Sequence, residues 1–106
     1  MPMKTVDAAT LKKWLDNKEA VIVDVREPDE YKAECIGEAC LVPLATVAKC
    51  NLPECKGKKL VLHCRLGKRG TAACEKLLAE DPTLEVYNLE GGIVAWEQAG
   101  MPVKRK

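Results

Sequence analysis

Short apolar runs that alternate with helical patterns constrain this chain more than any other feature. The runs predicted as strands are mostly apolar and span residues 21–25, 40–43, 60–63 and 85–89. The segments predicted as helices span residues 8–16, 71–80 and 93–99, with a turn or short helix at 27–31 and a small helix at 44–50. Strands that alternate with helices form parallel sheets with both faces covered. We therefore predict an α/β fold of three layers, with a mainly parallel central sheet and helices on both faces.

The length of the chain predicts one domain that spans residues 1–106, since domains commonly have roughly 100–150 residues. Hydrophobic residues make up 47% and charged residues 31% of the chain, which is typical of a globular protein. Phe is absent and aromatic residues make up 4%, so the core must consist mainly of Val, Leu, Ile and Ala. Such a core suits a buried parallel sheet.

The charge and the apolar pattern argue against two kinds of partner. With 17 basic and 16 acidic residues the net charge is +1, whereas domains that bind nucleic acid usually have a strongly basic face. No segment approaches the ~18 consecutive apolar residues of a membrane span, so we expect neither a nucleic-acid nor a membrane partner. Residues 1–5 lack the apolar run of a signal peptide. A cytoplasmic protein is therefore expected, while earlier removal of a signal peptide stays open.

Six cysteines allow several structural roles. They are Cys35, Cys40, Cys50, Cys55, Cys64 and Cys74. A disulfide framework is typical of small domains with few core residues, whereas this chain has enough apolar strands and amphipathic helices to fold without one. Two pairs have C-x4-C spacing, and zinc binding by them is an alternative. We expect no metal and no cofactor, and we predict that the cysteines other than Cys64 are mostly small buried or half-buried hydrophobic residues.

One short segment combines a cysteine, a glycine and three cations between a strand and a helix. Cys64 directly follows the apolar run 60–63, and functional sites in parallel sheets lie at the carboxyl ends of strands. The backbone N–H groups of residues 65–69 can curve around the sulfur if Gly67 adopts a positive φ. The following helix adds the partial positive charge of its N-terminus. We therefore expect the thiolate of Cys64 to be favoured near neutral pH.

The same positive loop is suited to bind a small oxyanion. The candidate catalytic residue is Cys64, acting as a nucleophile. The candidate substrate-binding residues follow it in the loop: Arg65, Leu66, Gly67, Lys68 and Arg69. His63 is the only histidine, and because neighbouring strand residues point to opposite faces, we predict that it is structural. Without a Cys–His pair, the loop itself must activate the nucleophile.

Taken in order, these features resemble the rhodanese (thiosulfate sulfurtransferase) domain from about Val6 to Val103. The segments that carry the resemblance are Ile22-Val23-Asp24-Val25-Arg26 with Glu30-Tyr31, the loop Cys64-Arg65-Leu66-Gly67-Lys68-Arg69, Leu89-Glu90-Gly91-Gly92 with Trp96, and Gly100-Met101-Pro102-Val103. The loop is similar to the six-residue active-site loop of that family. The order and spacing of the segments together are specific.

The resemblance implies a single-domain rhodanese fold and a sulfurtransferase reaction. Cys64 would take a sulfane sulfur from a small anionic donor such as thiosulfate and hold it as a persulfide in the loop. A thiol or cyanide acceptor would then remove the sulfur and restore the thiolate. The loop cations would attract the donor and neutralise the departing sulfite. By the same resemblance, Asp24, Arg26 and Glu30 are expected to be structural, as ion pairs and hydrogen bonds beneath the site.

The chain departs from the family pattern at residues 32–39. The family usually has x-x-Gly-His-Ile-x-Gly-Ala there. In this chain Glu34 stands at the position of the first glycine, Cys35 at that of the histidine, and Glu38 at that of the second glycine. We expect a reshaped turn. Cys35 is expected to fill space, and a disulfide between Cys35 and Cys64 is the alternative.

Two alternative functions stay open from the sequence. Phosphatases and arsenate reductases of a similar fold also use a cysteine in an anion-binding loop, but with an arginine six positions after it, where this chain has Gly70. By family similarity, the shorter loop suits a sulfane sulfur and is crowded for phosphate. The second alternative is a persulfide relay or interaction module that acts on a protein partner, which would then be the sulfur acceptor.

Overall fold

Strands and helices alternate along the computed structural model, which describes residues 4–36, 39–48, 52, 58–101 and 103–105. The strands are β1 (Lys4–Val6), β2 (Ala20–Asp24), β3 (Glu34–Cys35), β4 (Cys40–Leu41), β5 (Lys59–His63), β6 (Val86–Leu89) and β7 (Lys104–Arg105). The helices are α1 (Ala8–Asp16), α2 (Pro28–Ala33), α3 (Lys68–Glu80) and α4 (Gly92–Gln98), and a single 3-10 turn spans Leu44–Thr46. None of the described helices is long and apolar enough to cross a lipid bilayer.

β5 is the central strand of a five-stranded sheet in the described part of the chain. The strand order is β1-β6-β5-β2-β4, and every neighbouring pair is parallel. Asp24 lies beside His63, and Leu62 lies beside Asn88. The carboxyl ends of β2, β5 and β6 therefore meet at one edge of the sheet, and the predicted parallel α/β fold is confirmed.

Alternate strand residues pack into two apolar clusters, one on each face of the sheet. On one face, Ile22 of β2 packs with Leu11 of α1 and Trp96 of α4. On the other face, the next residue, Val23, packs with Leu77 of α3. Because both faces of β2 are covered, its sequence is a continuous apolar run rather than an alternating one. Helices lie on both faces, as predicted.

The first two helices begin where the sequence predicts. Asp7 caps α1 because its carboxylate accepts the backbone N–H of Thr10 at 2.8 Å. Pro28 is the first residue of α2. Proline suits this position, because the N–H of a first helical residue has no acceptor within the helix. Local capping signals of this kind do not depend on the rest of the fold.

Three helix predictions need correction. The small helix predicted at residues 44–50 is only a single 3-10 turn, Leu44–Thr46, because residues 47–48 are not helical. Residues 49–50 lie outside the described residues. The last helix was predicted to reach Ala99, but it ends at Gln98, and Ala99 is exposed. α3 begins at Lys68 rather than at the predicted residue 71.

The C-terminal residues Lys104 and Arg105 form a strand that the sequence did not predict. These residues form β7, which pairs antiparallel with β3, so that Cys35 lies beside Lys104. The sequence predicted neither β3 nor β7, because their residues are mostly charged and form no apolar run. Most of residues 51–58 lie outside the described residues, as do Pro102 and Lys106.

Candidate active site

Cys64 lies at the carboxyl end of β5, the central strand. It directly follows His63, the last residue of the strand, and only 1% of it is exposed. Its Sγ accepts a hydrogen bond from the backbone N–H of Gly67 at 3.0 Å. The cysteine is therefore buried at the edge where functional sites of parallel sheets occur.

Gly67 connects the loop to α3 in a conformation that favours glycine. Its φ of 108° lies in the left-handed region, as the sequence predicted. Its carbonyl accepts hydrogen bonds from the Thr71 N–H at 3.0 Å and from the Thr71 hydroxyl at 2.9 Å. α3 starts at the next residue, so Lys68 and Arg69 belong to its first turn and not to a longer loop.

The predicted ring of amides around the sulfur is only partly present. Of the N–H groups of residues 65–69, that of Gly67 is the one that makes a hydrogen bond to Sγ within the described part of the chain. The start of α3 lies next to this hydrogen bond and adds the partial positive charge of a helix N-terminus. The sulfur therefore has one hydrogen-bond donor and a nearby helix N-terminus, both of which carry partial positive charge.

The start of α4 holds the other side of the loop. The carbonyl of Cys64 accepts the N–H of Ile93 at 2.9 Å, and that of Arg65 accepts the N–H of Val94 at 3.2 Å. A trans peptide directs its N–H opposite to its C=O. The N–H groups in the same two peptides, those of Arg65 and Leu66, therefore point away from α4. A Cβ on Gly92 would lie 2.4 Å from both carbonyl oxygens, so glycine is required there.

Most of the predicted substrate-binding side chains surround Cys64 in one surface depression. The depression has a volume of about 220 Å³ and is lined by Cys64, Arg65, Leu66, Lys68 and Arg69. Gly67, the remaining predicted residue, contributes its backbone beneath this depression. The loop therefore brings the sulfur and the three cations together, as their spacing in the sequence indicates.

The three cations of the loop are not equivalent. Arg65 and Lys68 are exposed, and no acidic side chain pairs with them among the described residues. Arg69 instead forms two parallel hydrogen bonds to the Glu30 carboxylate of α2, at 2.7 and 3.0 Å. The Arg69 guanidinium holds the pKa of Glu30 at about 2, and the carboxylate in turn raises the pKa of Arg69. Much of the charge of Arg69 is therefore compensated before any anion approaches.

A second, fully buried ion pair lies at the end of β2. Nη2 of Arg26 donates to Oδ2 of Asp24 at 2.7 Å, and its Nε donates to Oδ1 at 2.9 Å. The same guanidinium donates to the carbonyl of Glu34 at 2.6 Å. The expected structural set is thus two pairs, Asp24 with Arg26 and Glu30 with Arg69. These pairs attach the segment around α2 to the edge that carries Cys64.

His63 belongs to this buried group and not to the sulfur. It is fully buried, its Nε2 lies 3.7 Å from Oδ2 of Asp24, and its Nδ1 lies 3.3 Å from the carbonyl oxygen of Cys64. Burial lowers the pKa of His63, although Asp24 opposes the shift, so the imidazole is neutral at pH 7. This geometry agrees with the predicted structural role.

Asn88 was missed by the sequence reasoning. It lies in β6, 5% of it is exposed, and its Nδ2 donates to the carbonyl of Gly67 at 3.1 Å and to Oγ1 of Thr71 at 3.0 Å. A Cβ on Gly70 would lie 2.2 Å from Oδ1 of Asn88, so that glycine leaves the space for the amide. The available signal was an amide side chain within a strand that is otherwise mostly apolar.

A larger depression of about 360 Å³ adjoins the one at Cys64. Arg65 lines both of them. The remaining lining includes apolar side chains of α4, Ile93 and Val94, and the acidic side chains Glu34 and Glu97. A molecule bound there would lie next to the loop without covering it.

The other described cysteines differ in their surroundings. Cys35, Cys40, Cys64 and Cys74 are free thiols. Cys35 and Cys74 are buried, as predicted, whereas Cys40 is exposed because β4 is the edge strand of the sheet. Cys50 and Cys55, the other predicted C-x4-C pair, lie outside the described residues. Within the described ranges, no three His, Cys, Asp or Glu side chains come together as a metal site.

Comparisons with known proteins agree with this architecture. Residues 7–99 match the Rhodanese-like domain family. An uncharacterized protein of Synechocystis sp. is 37% identical over 103 residues. The match covers 96% of this chain but only 57% of that relative. A protein of Allochromatium vinosum named Sulfurtransferase is 33% identical over 101 residues, with 92% of each chain covered. The crystal structure of a rhodanese-related protein from Thermoplasma volcanium superposes with a TM-score of 0.82 at 30% identity, and covers 97% of this chain and 99% of that one. The protein with this parallel sheet and buried loop cysteine therefore belongs to the rhodanese-like domain family.

Proposed function

We propose that the protein is a sulfurtransferase that carries a sulfane sulfur on Cys64. The observation that carries this proposal is the buried Sγ that accepts the Gly67 N–H at 3.0 Å beneath two exposed cations. A thiolate needs such donors when it is removed from water. Relatives of the family include proteins named sulfurtransferase, among them the one from Allochromatium vinosum.

In the first half-reaction, the Cys64 thiolate attacks the outer sulfur of a donor such as thiosulfate. The new S–S bond forms as the bond between sulfur and sulfite breaks, and sulfite leaves with that electron pair. The products are a Cys64 persulfide anion and sulfite, so total charge is conserved and no proton, metal or cofactor is required. This is nucleophilic catalysis with a covalent intermediate.

The loop supplies the donor site in this proposal. Arg65 and Lys68 attract the dianionic donor and stabilise the departing sulfite, because their charges are exposed and lack acidic partners among the described residues. The terminal sulfur of the persulfide would be held by the backbone at Gly67, with Leu66 as one wall. Arg69 contributes less to donor binding, because it is paired with Glu30.

In the second half-reaction, a cyanide or thiolate acceptor attacks the terminal sulfur of the persulfide. The S–S bond breaks, its electron pair returns to Cys64 as thiolate, and the acceptor leaves as thiocyanate or as its own persulfide. We assign the acceptor to the 360 Å³ depression, because Arg65 forms part of both depressions. A single rhodanese domain would thus perform both half-reactions. We place the reaction in the cytoplasm, where thiol acceptors stay reduced.

A protein acceptor is the second candidate, and one observation favours it. Leu66 is 60% exposed and is the one large hydrophobic side chain exposed to this degree in the described residues. It stands at the tip of the loop, directly beside the depression that contains Cys64. An apolar side chain at that position suits contact with another protein. Turnover with a protein-bound thiol that greatly exceeds turnover with free thiols would favour this relay function.

A phosphatase activity has less support. The position six residues after Cys64 is Gly70, and the nearest arginine, Arg69, is paired with Glu30. A phosphoryl group would therefore lack an unpaired guanidinium at the end of the loop, where those phosphatases have theirs. We expect hydrolysis of p-nitrophenyl phosphate to be negligible next to sulfur transfer from thiosulfate to cyanide.

The decisive experiment asks whether Cys64 acquires a sulfur atom. The protein is incubated with thiosulfate without an acceptor, and its intact mass and peptide map are compared with those of Cys64→Ser. We expect the mass of one added sulfur atom on the peptide that contains Cys64, and its loss after addition of cyanide. An added sulfur on another cysteine, or none at all, would overturn the proposal.

A further inference from the structure

Asn88 is a buried polar residue with no role in the two half-reactions proposed above. It lies near the carboxyl end of β6, next to β5, and its neighbours Tyr87 and Leu89 belong to the apolar packing of the sheet. Burying an amide is unfavourable unless it makes hydrogen bonds. The contacts of Asn88 are therefore informative about its purpose.

The side-chain amide of Asn88 binds the end of the loop. Its Nδ2 lies 3.1 Å from the carbonyl oxygen of Gly67 and 3.0 Å from Oγ1 of Thr71. A carbonyl oxygen can only accept, so the NH2 group and not the oxygen of the amide must face Gly67. The Thr71 hydroxyl donates to the same carbonyl at 2.9 Å and accepts from Asn88, which closes a small network of three groups.

This network is attached to the residue that contacts the sulfur. The Gly67 carbonyl is held by Asn88 and Thr71, while the Gly67 N–H donates to Sγ of Cys64. The Gly67 N–H and C=O belong to adjacent peptide planes, which are joined through the backbone dihedrals of Gly67, whose φ is 108°. Holding the carbonyl therefore restricts the rotations at Gly67 that would turn its N–H away from the sulfur of Cys64.

The surroundings leave little freedom for other arrangements. Gly70, in the first turn of α3, has no side chain, and a Cβ there would lie 2.2 Å from Oδ1 of Asn88. The amide thus fills space that the helix leaves open. Glycine at this position and asparagine in β6 are complementary in shape.

We propose that Asn88 is a positioning residue for sulfur transfer, which acts through the Gly67 carbonyl to aim the Gly67 N–H at the sulfur of Cys64. The inference rests on the proposed function and extends it to a residue outside the loop. Asn88 does not contact Sγ in this structure, so its effect is expected on the reactivity of the thiolate and not on the attraction of the donor. The donor remains bound by Arg65 and Lys68.

The test compares Asn88→Ala with the unchanged protein. The maximal rate of persulfide formation with thiosulfate should fall by about tenfold, the size of effect expected when a hydrogen-bonded support is lost. The thiosulfate concentration at half-saturation should stay within about twofold, since the loop cations are unchanged. The pH midpoint of thiolate absorbance, taken as the difference from the Cys64→Ser spectrum, should rise by about one unit.

Further variants separate positioning from general loosening of the fold. Val86→Ala removes buried volume from the same strand and face without touching the loop, so it should lower stability and leave the thiolate midpoint in place. Thr71→Val removes the bridging hydroxyl and should shift the midpoint in the same direction as Asn88→Ala, while Thr71→Ser keeps the hydroxyl and should lie nearer the unchanged protein. This pair also serves as the test if Asn88→Ala does not fold.

Two outcomes would overturn the inference. One is an unchanged thiolate midpoint and an unchanged maximal rate in a folded Asn88→Ala protein. The other is an equal midpoint shift in Val86→Ala, which would show that any loss of packing has this effect. The thiolate titration needs no donor, so it tests Asn88 even if Cys64 never acquires sulfur, a result that would overturn the proposed function alone.

Discussion

Two buried cysteines of this protein, Cys64 and Cys74, have almost equal exposure but differ in the polar groups next to their sulfur atoms. Cys64 is 1% exposed and Cys74 0%, and both belong to the apolar cluster on the same face of the sheet. Cys64 lies at a strand end and accepts the N–H of Gly67. Cys74 lies within α3, where burial raises the pKa of its thiol to about 12.

The comparison shows that burial alone does not decide what a cysteine can do. Removal from water disfavours a thiolate, and within the described ranges no hydrogen-bond donor to Cys74 offsets this in its apolar surroundings. At Cys64 the backbone turns at Gly67 so that an N–H and the start of a helix face the sulfur. The difference therefore arises from the direction of backbone groups, which is a property of the fold around each sulfur.

The largest expected difference is between Cys64→Ser and Cys74→Ser. Cys64→Ser should reduce sulfur transfer on the order of a thousandfold or more, because no nucleophile of comparable reactivity remains. Cys74→Ser should retain transfer but lower the free energy of unfolding by about 1–3 kcal/mol, because a hydroxyl is buried in apolar surroundings. Thiosulfate:cyanide turnover and urea unfolding measure the two effects. Transfer that survives in Cys64→Ser would end the contrast between the two cysteines.

The second comparison uses two glycines of positive φ. Gly67 has a φ of 108° and Gly100 a φ of 80°, and a Cβ would find open space or ordinary contact distances at either position. Alanine at either should cost roughly 1–2 kcal/mol of stability through backbone strain. Only Gly67→Ala should also slow transfer, by about tenfold, since it turns the N–H that Cys64 accepts from. Equal transfer rates in the two variants would mean that the loop backbone does not act on the sulfur.

A third comparison separates two adjacent cations in the first turn of α3. Lys68→Ala should raise the thiosulfate KM by roughly fivefold, which corresponds to about 1 kcal/mol for one exposed charge. Arg69→Ala should change KM less, because the guanidinium is already paired with Glu30, and should instead lower stability by about 1 kcal/mol. Steady-state kinetics at fixed salt concentration decide between them. A larger KM change in Arg69→Ala would assign donor binding to the paired cation.

The smallest expected effect concerns pH and the Glu30–Arg69 pair. The pKa of Glu30 is lowered to about 2 by Arg69, so folding favours the carboxylate. The stabilisation is therefore fully present above the ordinary pKa of a glutamate, near 4.5, and is lost as pH falls towards 2. Glu30→Gln should lower stability by about 0.5–1 kcal/mol at pH 7, because the pair is partly exposed, and by less at pH 3.

The matched control for this prediction is Glu75→Gln, on the exposed face of α3. Glu75 has no ion-pair partner among the described residues, so its loss should change stability little at either pH. Urea unfolding of both variants at pH 7 and pH 3 provides the measurement. An equal cost of Glu30→Gln at both values would show that its carboxylate is not stabilised by folding.

Much of the fold could be predicted because its signals are local. The apolar run of β2 indicated a strand covered on both faces, and Asp7 marked the start of α1. The position of Cys64 at a strand end, and the positive φ of Gly67, also followed from neighbouring residues. The catalytic role of Cys64 stays a proposal until sulfur is found on it.

Other features could not be predicted because they join distant parts of the chain. The partner of Arg69 is Glu30, 39 residues earlier, and nothing near Arg69 indicates that its charge is compensated. Asn88 reaches Gly67 across 21 residues, and β7 pairs with β3 through contacts that no local period records. The sequence therefore indicated which residues form the loop. It did not indicate which of its charges are paired or how its backbone groups are held.

The amino-acid order by itself determined the alternation of strands and helices and brought one cysteine, one glycine and three cations into a single loop. The tertiary structure alone decided which of these groups act on the sulfur. Packing of α2, α4 and β6 around the loop pairs Arg69 with Glu30, draws two carbonyls towards α4 and places Asn88 against Gly67. Hydrogen bonds depend on distances of a few tenths of an ångström and on direction, and these are set only when remote elements are packed together.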